Sequence, residues 1–159
     1  MTWIRKKRKY SRPRKAFDMK RIEQENEMLK IYGLKSKREI WKADSEIGRI
    51  RNQAKELIGE DSEKQERLLE KLKKMGFQVN TIADVLALNK ENWLRRRLQS
   101  ILIMKKGVKP KQARQLIAHK HVAVDGKKVN IPSFIVSVEN ENKIQIIQKT
   151  KEMQEGKAE

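Results

Sequence analysis

The sequence contains no cysteine, only two histidines, and just three prolines and seven glycines in 159 residues. Without cysteine there can be no disulfide framework, cysteine zinc site or thiol nucleophile, and two histidines leave almost nothing for a metal site. A reducing compartment is compatible with that composition. No apolar run exceeds four residues (85–88 and 101–104), whereas a transmembrane helix needs about 20. The chain therefore reads as soluble. Its basic beginning is not followed by an apolar stretch, so no secretory signal is read and a cytoplasmic location is expected. No cofactor, metal or small-molecule substrate is expected.

What is abundant is positive charge: 39 Lys and Arg against 21 Asp and Glu, a net +18. Residues 1–21 hold ten basic groups and one acid, residues 22–93 hold fourteen of each sign, and residues 94–159 hold fifteen basic and six acidic. In 94–128 eleven basic groups face Asp125 alone. A surface charged only for solubility has no reason to concentrate its excess, so two basic regions flanking a neutral one point to polyanion binding at two places. Nucleic acid and an acidic membrane surface both satisfy that reading.

Leu, Ile, Val and Phe number two in residues 1–21, 18 in 22–93 and 19 in 94–150. The first stretch cannot bury a core. The expected organisation is a disordered basic arm over 1–15, a helical domain over 16–93, a second folded module over 94–150 and a flexible tail over 151–159. In the middle segment a helix is expected over 16–32, ending at Gly33. Ser36 and Glu39 have capping-box spacing before a second helix, whose Ile40, Ala43, Ile47, Ile50, Ala54, Leu57 and Ile58 share one arc. Ser62 and Gln65 open a third, with Leu68, Leu69, Leu72 and Met75 on one face, and a short turn of helix follows Thr81. Trp41 lies off the arc of its helix. A neighbouring helix covering it is the simpler reading; a contact to RNA or a protein partner is the sharper one.

In the second module one helix is expected over 89–106, burying Leu94, Leu98, Ile101 and Leu102 and turning Arg95, Arg96, Gln99 and Lys106 outward, with Arg97 on the other flank. Pro110 begins the next helix, where its missing N–H is harmless. Ala113, Leu116 and Ile117 face inward there; Lys111, Arg114 and Gln115 face out. Asp125-Gly126 between two short apolar runs is a strong hairpin signal, placing Val124 opposite Lys127 and Val122 opposite Val129. His121, Ala123, Lys128 and Asn130 fall on the other, polar face. Strands over 135–138 and 143–147 complete an α+β fold: a helical N-terminal region with a basic arm, then two helices on a small antiparallel or mixed sheet.

The run Arg96-Arg-Leu-Gln99, then Lys109-Pro-Lys-Gln-Ala-Arg-Gln-Leu-Ile117, then His119-Lys-His-Val-Ala-Val-Asp-Gly-Lys-Lys-Val-Asn-Ile-Pro-Ser133 resembles the RNA-binding module of the small-subunit ribosomal protein four family. Arg12-Pro-Arg14, Tyr32-Gly-Leu34 and Lys37-Arg-Glu-Ile-Trp41 are similar to the N-terminal half of its archaeal and eukaryotic branch. The resemblance implies a structural protein of the small ribosomal subunit. Such a protein binds ribosomal RNA directly and early in assembly at a multi-helix junction, and lies near the mRNA entry side, where it contributes to accuracy. Implied partners are that rRNA and neighbouring small-subunit proteins, with no membrane and no catalysis. Carried over position by position, the RNA surface comprises Arg96, Arg97, Gln99, Lys111, Arg114, Gln115, His119, His121, Lys127 and Lys128. The extra cations Lys109 and Lys120 join it, as do Arg5, Lys6, Lys7, Arg8, Lys9, Arg12 and Arg14 of the arm.

Three positions depart from the family pattern. Lys109 stands where a Ser or Thr cap is usual, Lys120 replaces the glycine between the two histidines, and Asp125 stands where Asn is common. A left-handed backbone at Lys120 would cost roughly 1 kcal/mol. The absence of Cys also excludes the zinc element of some bacterial relatives. Two other classes remain open. A winged helix-turn-helix DNA regulator would use 110–118 as recognition helix and the hairpin as wing. An enzyme with an appended RNA-binding module would need a phosphate loop or an activated nucleophile in the remaining chain, and neither is legible there.

Overall fold

The computed structural model describes residues 9–147. Helix α1 (Met19–Tyr32) starts three residues later than periodicity alone implies, because the Asp18 carboxylate accepts from the Arg21 amide. It ends at Gly33, whose left-handed backbone returns its N–H to Leu29. Helix α2 (Lys37–Glu56) buries Ile40, Ala43, Ile47, Ile50 and Ala54 along the expected arc. Leu57 and Ile58 leave that arc in a 3-10 turn, Leu57–Gly59, and Ile58 is exposed. The Ser36–Glu39 capping box is not formed. Ser36 makes no side-chain cap bond, and Glu39 accepts instead from the Lys35 amide at 3.1 Å.

Helix α3 (Ser62–Lys74) takes Asp61 rather than Ser62 as its cap residue, and Gln65 reaches back to the Leu57 and Glu60 carbonyls. A full capping box does form at Thr81 and Asp84, opening α4 (Ile82–Ala87). Helix α5 (Lys90–Arg95) follows. These elements enclose one core around Ile47, Ile50, Leu68, Leu72, Phe77 and Val85, with Trp93 stacked on Phe77. Each fully buried aliphatic contributes about 1.5–3 kcal/mol. Among the described residues no helix is long and apolar enough to cross a membrane.

The single helix expected over 89–106 is broken. Arg97 is extended (φ −73°, ψ 144°), and α6 (Leu98–Lys106) begins after it. The break is stabilised by pairing with a later loop: Leu98 N–H donates to the Phe134 carbonyl at 2.7 Å, Val136 N–H to the Arg96 carbonyl at 3.1 Å, and Arg97 bridges Ile135. That pairing is all that forms of the expected strand over 135–138. Residues Val138–Glu141 are helical instead (α8).

Helix α7 (Pro110–Ala118) has Pro110 in its first turn. Strands β1 (Val122–Val124) and β2 (Lys127–Lys128) form the hairpin in the expected register, with Asp125 and Gly126 both at positive φ, as a tight two-residue turn requires. Strand β3 (Ile144–Ile146) pairs antiparallel on the other side of β1, giving the order β2-β1-β3. Ala123, on the polar side of the hairpin, is nonetheless buried in this central strand. A second core joins Leu98, Leu102, Ala113, Ile117, Val122, Val124 and Val136. Between the two lies a small third cluster of Tyr32, Ala43 and Leu94.

Candidate nucleic-acid interface

Helix α7 and the hairpin carry Lys109, Lys111, Arg114, Lys120, Lys127 and Lys128 of the sequence-derived cations. Ala113 and Ile117 are buried on the inner side of α7, which leaves Lys111 and Gln115, four residues apart, exposed on its outer side. Lys109 is exposed at the cap position and makes no side-chain cap bond. The helix ends in a Schellman arrangement: His121 N–H donates to the Leu116 carbonyl and Lys120 N–H to that of Ile117, each at 2.9 Å. This puts Lys120 at φ 61°, a left-handed backbone that favours glycine. His119 and Lys120 are exposed, His121 is half-buried, and the two imidazoles lie 6.3 Å apart. Lys127 and Lys128 project from β2. The nearby acid, Asp125, is held by Lys143 at 3.0 Å, so it does not offset the cations of this face.

Arg96, Arg97 and Gln99 do not belong to that surface. The expected outward face assumed one straight helix, and the break at Arg97 turns these side chains into the joint between the two cores. Arg96 donates to the Met75 and Val136 carbonyls at 2.9 and 2.8 Å and to Glu141 at 2.8 Å. Its guanidinium lies where a Cβ on Gly76 would fall. Arg97 is 4% exposed and pairs with Glu39 at 2.5 Å. Gln99, 1% exposed, donates from one amide nitrogen to the Gly33 and Pro110 carbonyls at 2.9 and 3.0 Å. Arg114 is intermediate: part-exposed on α7, it also reaches Glu39 at 3.3 Å.

Glu39 is the residue that sequence reasoning assigned to a different task. Burial pushes its carboxyl up, but the Arg97 hydrogen bond and charge, then the charge of Arg114 and the Lys35 amide, outweigh burial and hold it below its ordinary range. The signal available beforehand was weak: a single acid 58 residues from its partner. Gly33, read only as a helix end, and Gly76 are also places where the lobes approach too closely for a side chain.

Of the arm, Arg5, Lys6, Lys7 and Arg8 lie outside the described residues. Lys9, Arg12 and Arg14 are exposed. Between them the chain rests on α2: Ser11 N–H donates to Ser45 Oγ at 3.3 Å, and the Tyr10 ring lies 6.1 Å from Trp41. Trp41 itself is covered from the other side by α1, donating from Nε1 to the buried Glu25 carboxylate at 2.9 Å. The simpler reading of Trp41 therefore describes its position.

Comparison with known proteins agrees with this architecture. The family described as the S4 domain matches residues 96–142. The small ribosomal subunit protein uS4 of Saccharolobus solfataricus is 42% identical over 147 residues, covering 87% of this chain and 81% of that protein. Those of Thermoplasma volcanium and Thermoplasma acidophilum are 40% and 39% identical, each covering 86% of this chain and 74% of theirs. With the S4 domain located on α6, α7 and the hairpin, and with similarity extending through the helical lobe, the chain belongs to the small ribosomal subunit protein uS4 family.

Proposed function

We propose that this protein is a structural component of the small ribosomal subunit that binds its rRNA directly, through the α7–hairpin face and the basic arm. The observation that carries the reading is the exposure of Lys109, Lys111, Gln115, His119, Lys120, Lys127 and Lys128 along α7 and the hairpin, where the one acid, Asp125, is already paired. A-form RNA hides its major groove, so a protein reads it by shape through phosphates and 2′-hydroxyls, which a rigid basic surface suits. Most of the affinity comes from phosphate contacts. Arg96, Arg97 and Gln99 support that surface as positioning residues.

The protein joins a multi-helix junction early in assembly, without catalysis, and later lies near the mRNA entry side beside other small-subunit proteins in the cytoplasm. A winged-helix DNA regulator is disfavoured by family membership. Co-sedimentation with small subunits followed by crosslink mapping tests the proposal: crosslinks from Lys111 and Lys128 to rRNA are expected. Absence of the protein from the small-subunit fraction would overturn it.

A further inference from the structure

The rRNA reading leaves a cleft of about 340 Å³ between the start of α2 and the S4 domain. We propose that this cleft is a further RNA contact, gripping the phosphodiester backbone of a strand that runs from the α7 face across α2 to the arm; the inference rests on the rRNA-binding reading above. Arg38, Lys42, Arg97 and Arg114 line it, against Glu39 and Glu46. Both acids are already engaged, Glu39 by Arg97 and Arg114, and Glu46 by Arg49 at 2.8 Å. Among the described residues Arg38 and Lys42 have no acidic partner.

The buried base of the cleft is positive as well. Two guanidiniums share the one Glu39 carboxylate, and the buried Arg97 Nε and Arg114 Nη1 have no partner among the described residues. The α2 N-terminus opens on the same side. Ser36 lines the cleft and makes no side-chain cap bond, and the one first-turn acid of this 20-residue helix, Glu39, is drawn to Arg97 and Arg114, so the positive helix end adds to the attraction for an anion. A helix end without a side-chain cap, two cations without acidic partners and two arginines sharing one carboxylate thus converge on one opening.

Continuity identifies the ligand as a strand rather than a lone ion. Arg114 belongs both to α7 and to the cleft, while Glu46 lines both the cleft and the hollow beneath Lys9, Tyr10, Ser11 and Arg12. One polyanion can therefore touch the hairpin face, the cleft and the arm in order. A free phosphate would occupy only the middle position.

The test uses the full chain and a small-subunit rRNA transcript, with binding followed across a salt series. R38E/K42E is expected to bind at least about tenfold more weakly, and both it and R38Q/K42Q to flatten the log–log salt slope by about two. Both positions are exposed and a first-turn Glu favours a helix N-terminus, so folding is expected to persist; R38Q/K42Q provides the readout without charge reversal. Lys42 in the wild type is expected to be protected from lysine acylation by rRNA. Equal protection by inorganic phosphate at matched ionic strength would assign the cleft to a free anion and overturn the proposal. Unchanged affinity and slope in both cleft variants, with K111E/K128E losing affinity, would overturn the cleft contact and leave the rRNA reading intact. Retention of affinity by all three variants would overturn both.

Discussion

Arg97 and Glu39 are joined at 2.5 Å although 58 residues separate them, and this pair fixes the S4 domain against the helical lobe. Arg114 occupies the other Glu39 oxygen at 3.3 Å, so the orientation of α7 is set by the same carboxylate. Removing Arg97 strands a carboxylate that is only partly exposed. Arg97→Ala is expected to lower stability by about 3 kcal/mol, near the lower end for a broken buried pair because Arg114 remains. Lys111→Ala, on the exposed face, is expected to change it by less than about 0.5 kcal/mol. Urea midpoints separate the two; equal small losses would mean that the joint carries no stability.

Gln99 and Gly33 make the second fastening. Gln99→Ala removes the donor to two carbonyls and is expected to cost about 2 kcal/mol. Gly33→Ala combines a left-handed backbone with a Cβ placed 2.6 Å from Pro110 Cβ and 2.7 Å from the Gln99 amide nitrogen. It is expected to cost more than about 2 kcal/mol. Thermal melts check both, and a Gly33→Ala protein as stable as wild type would rule out the close approach.

The joint is also acid-sensitive. Burial raises the Glu141 carboxyl, but hydrogen bonds from Arg96 and Lys105, and then their charges, bring it below its ordinary value, as Arg97 and Arg114 do for Glu39. A depressed folded-state pKa contributes stability that is complete above the unfolded value, about 4.3 for Glu, and is lost as pH falls through the folded value. Stability is therefore expected to drop below about pH 4. E39Q/E141Q is expected to be less stable at pH 7 and to show a shallower acid slope, with Asp84, lowered by the Asn80 and Thr81 amides and the Thr81 hydroxyl, supplying part of what remains. An unaltered slope would contradict the assignment.

Trp41 holds α1 and the end of the arm to α2. Trp41→Ala is expected to cost about 2 kcal/mol, less than the roughly 3–5 of a fully buried Trp. It is also expected to speed hydrogen exchange at the Ser11 amide. Unchanged stability with weakened rRNA binding would instead make Trp41 an RNA contact.

The helical arc of α2, the Gly33 stop, Pro110 in the first turn of α7 and the Asp125-Gly126 hairpin were legible because each rests on local spacing or local backbone chemistry. The break at Arg97 was not, since it depends on pairing with residues 134–136, and no periodicity within 89–106 encodes that partner. One misplaced turn then carried Arg96, Arg97 and Gln99 from the joint to the surface of the helical wheel. The outward placement of Lys111 and Gln115 did not depend on that turn, because Ala113 and Ile117 fix the inward face of α7 against Val122 and Val124 of β1. Glu39 was misread for the same reason in reverse: capping-box spacing is local, and its actual partners are distant.

The proposed grip of α7 and the hairpin on RNA backbone has a direct test. The most direct measurement compares K111E/K127E/K128E with K64E/K71E/K74E, a reversal of equal charge in the helical lobe, for binding to small-subunit rRNA across a salt series. All six side chains are exposed, so both proteins are expected to fold. The first is expected to lose affinity by orders of magnitude with a salt slope flattened by about three, and the second to change little. Equal losses in the two variants would show diffuse electrostatics and contradict the account.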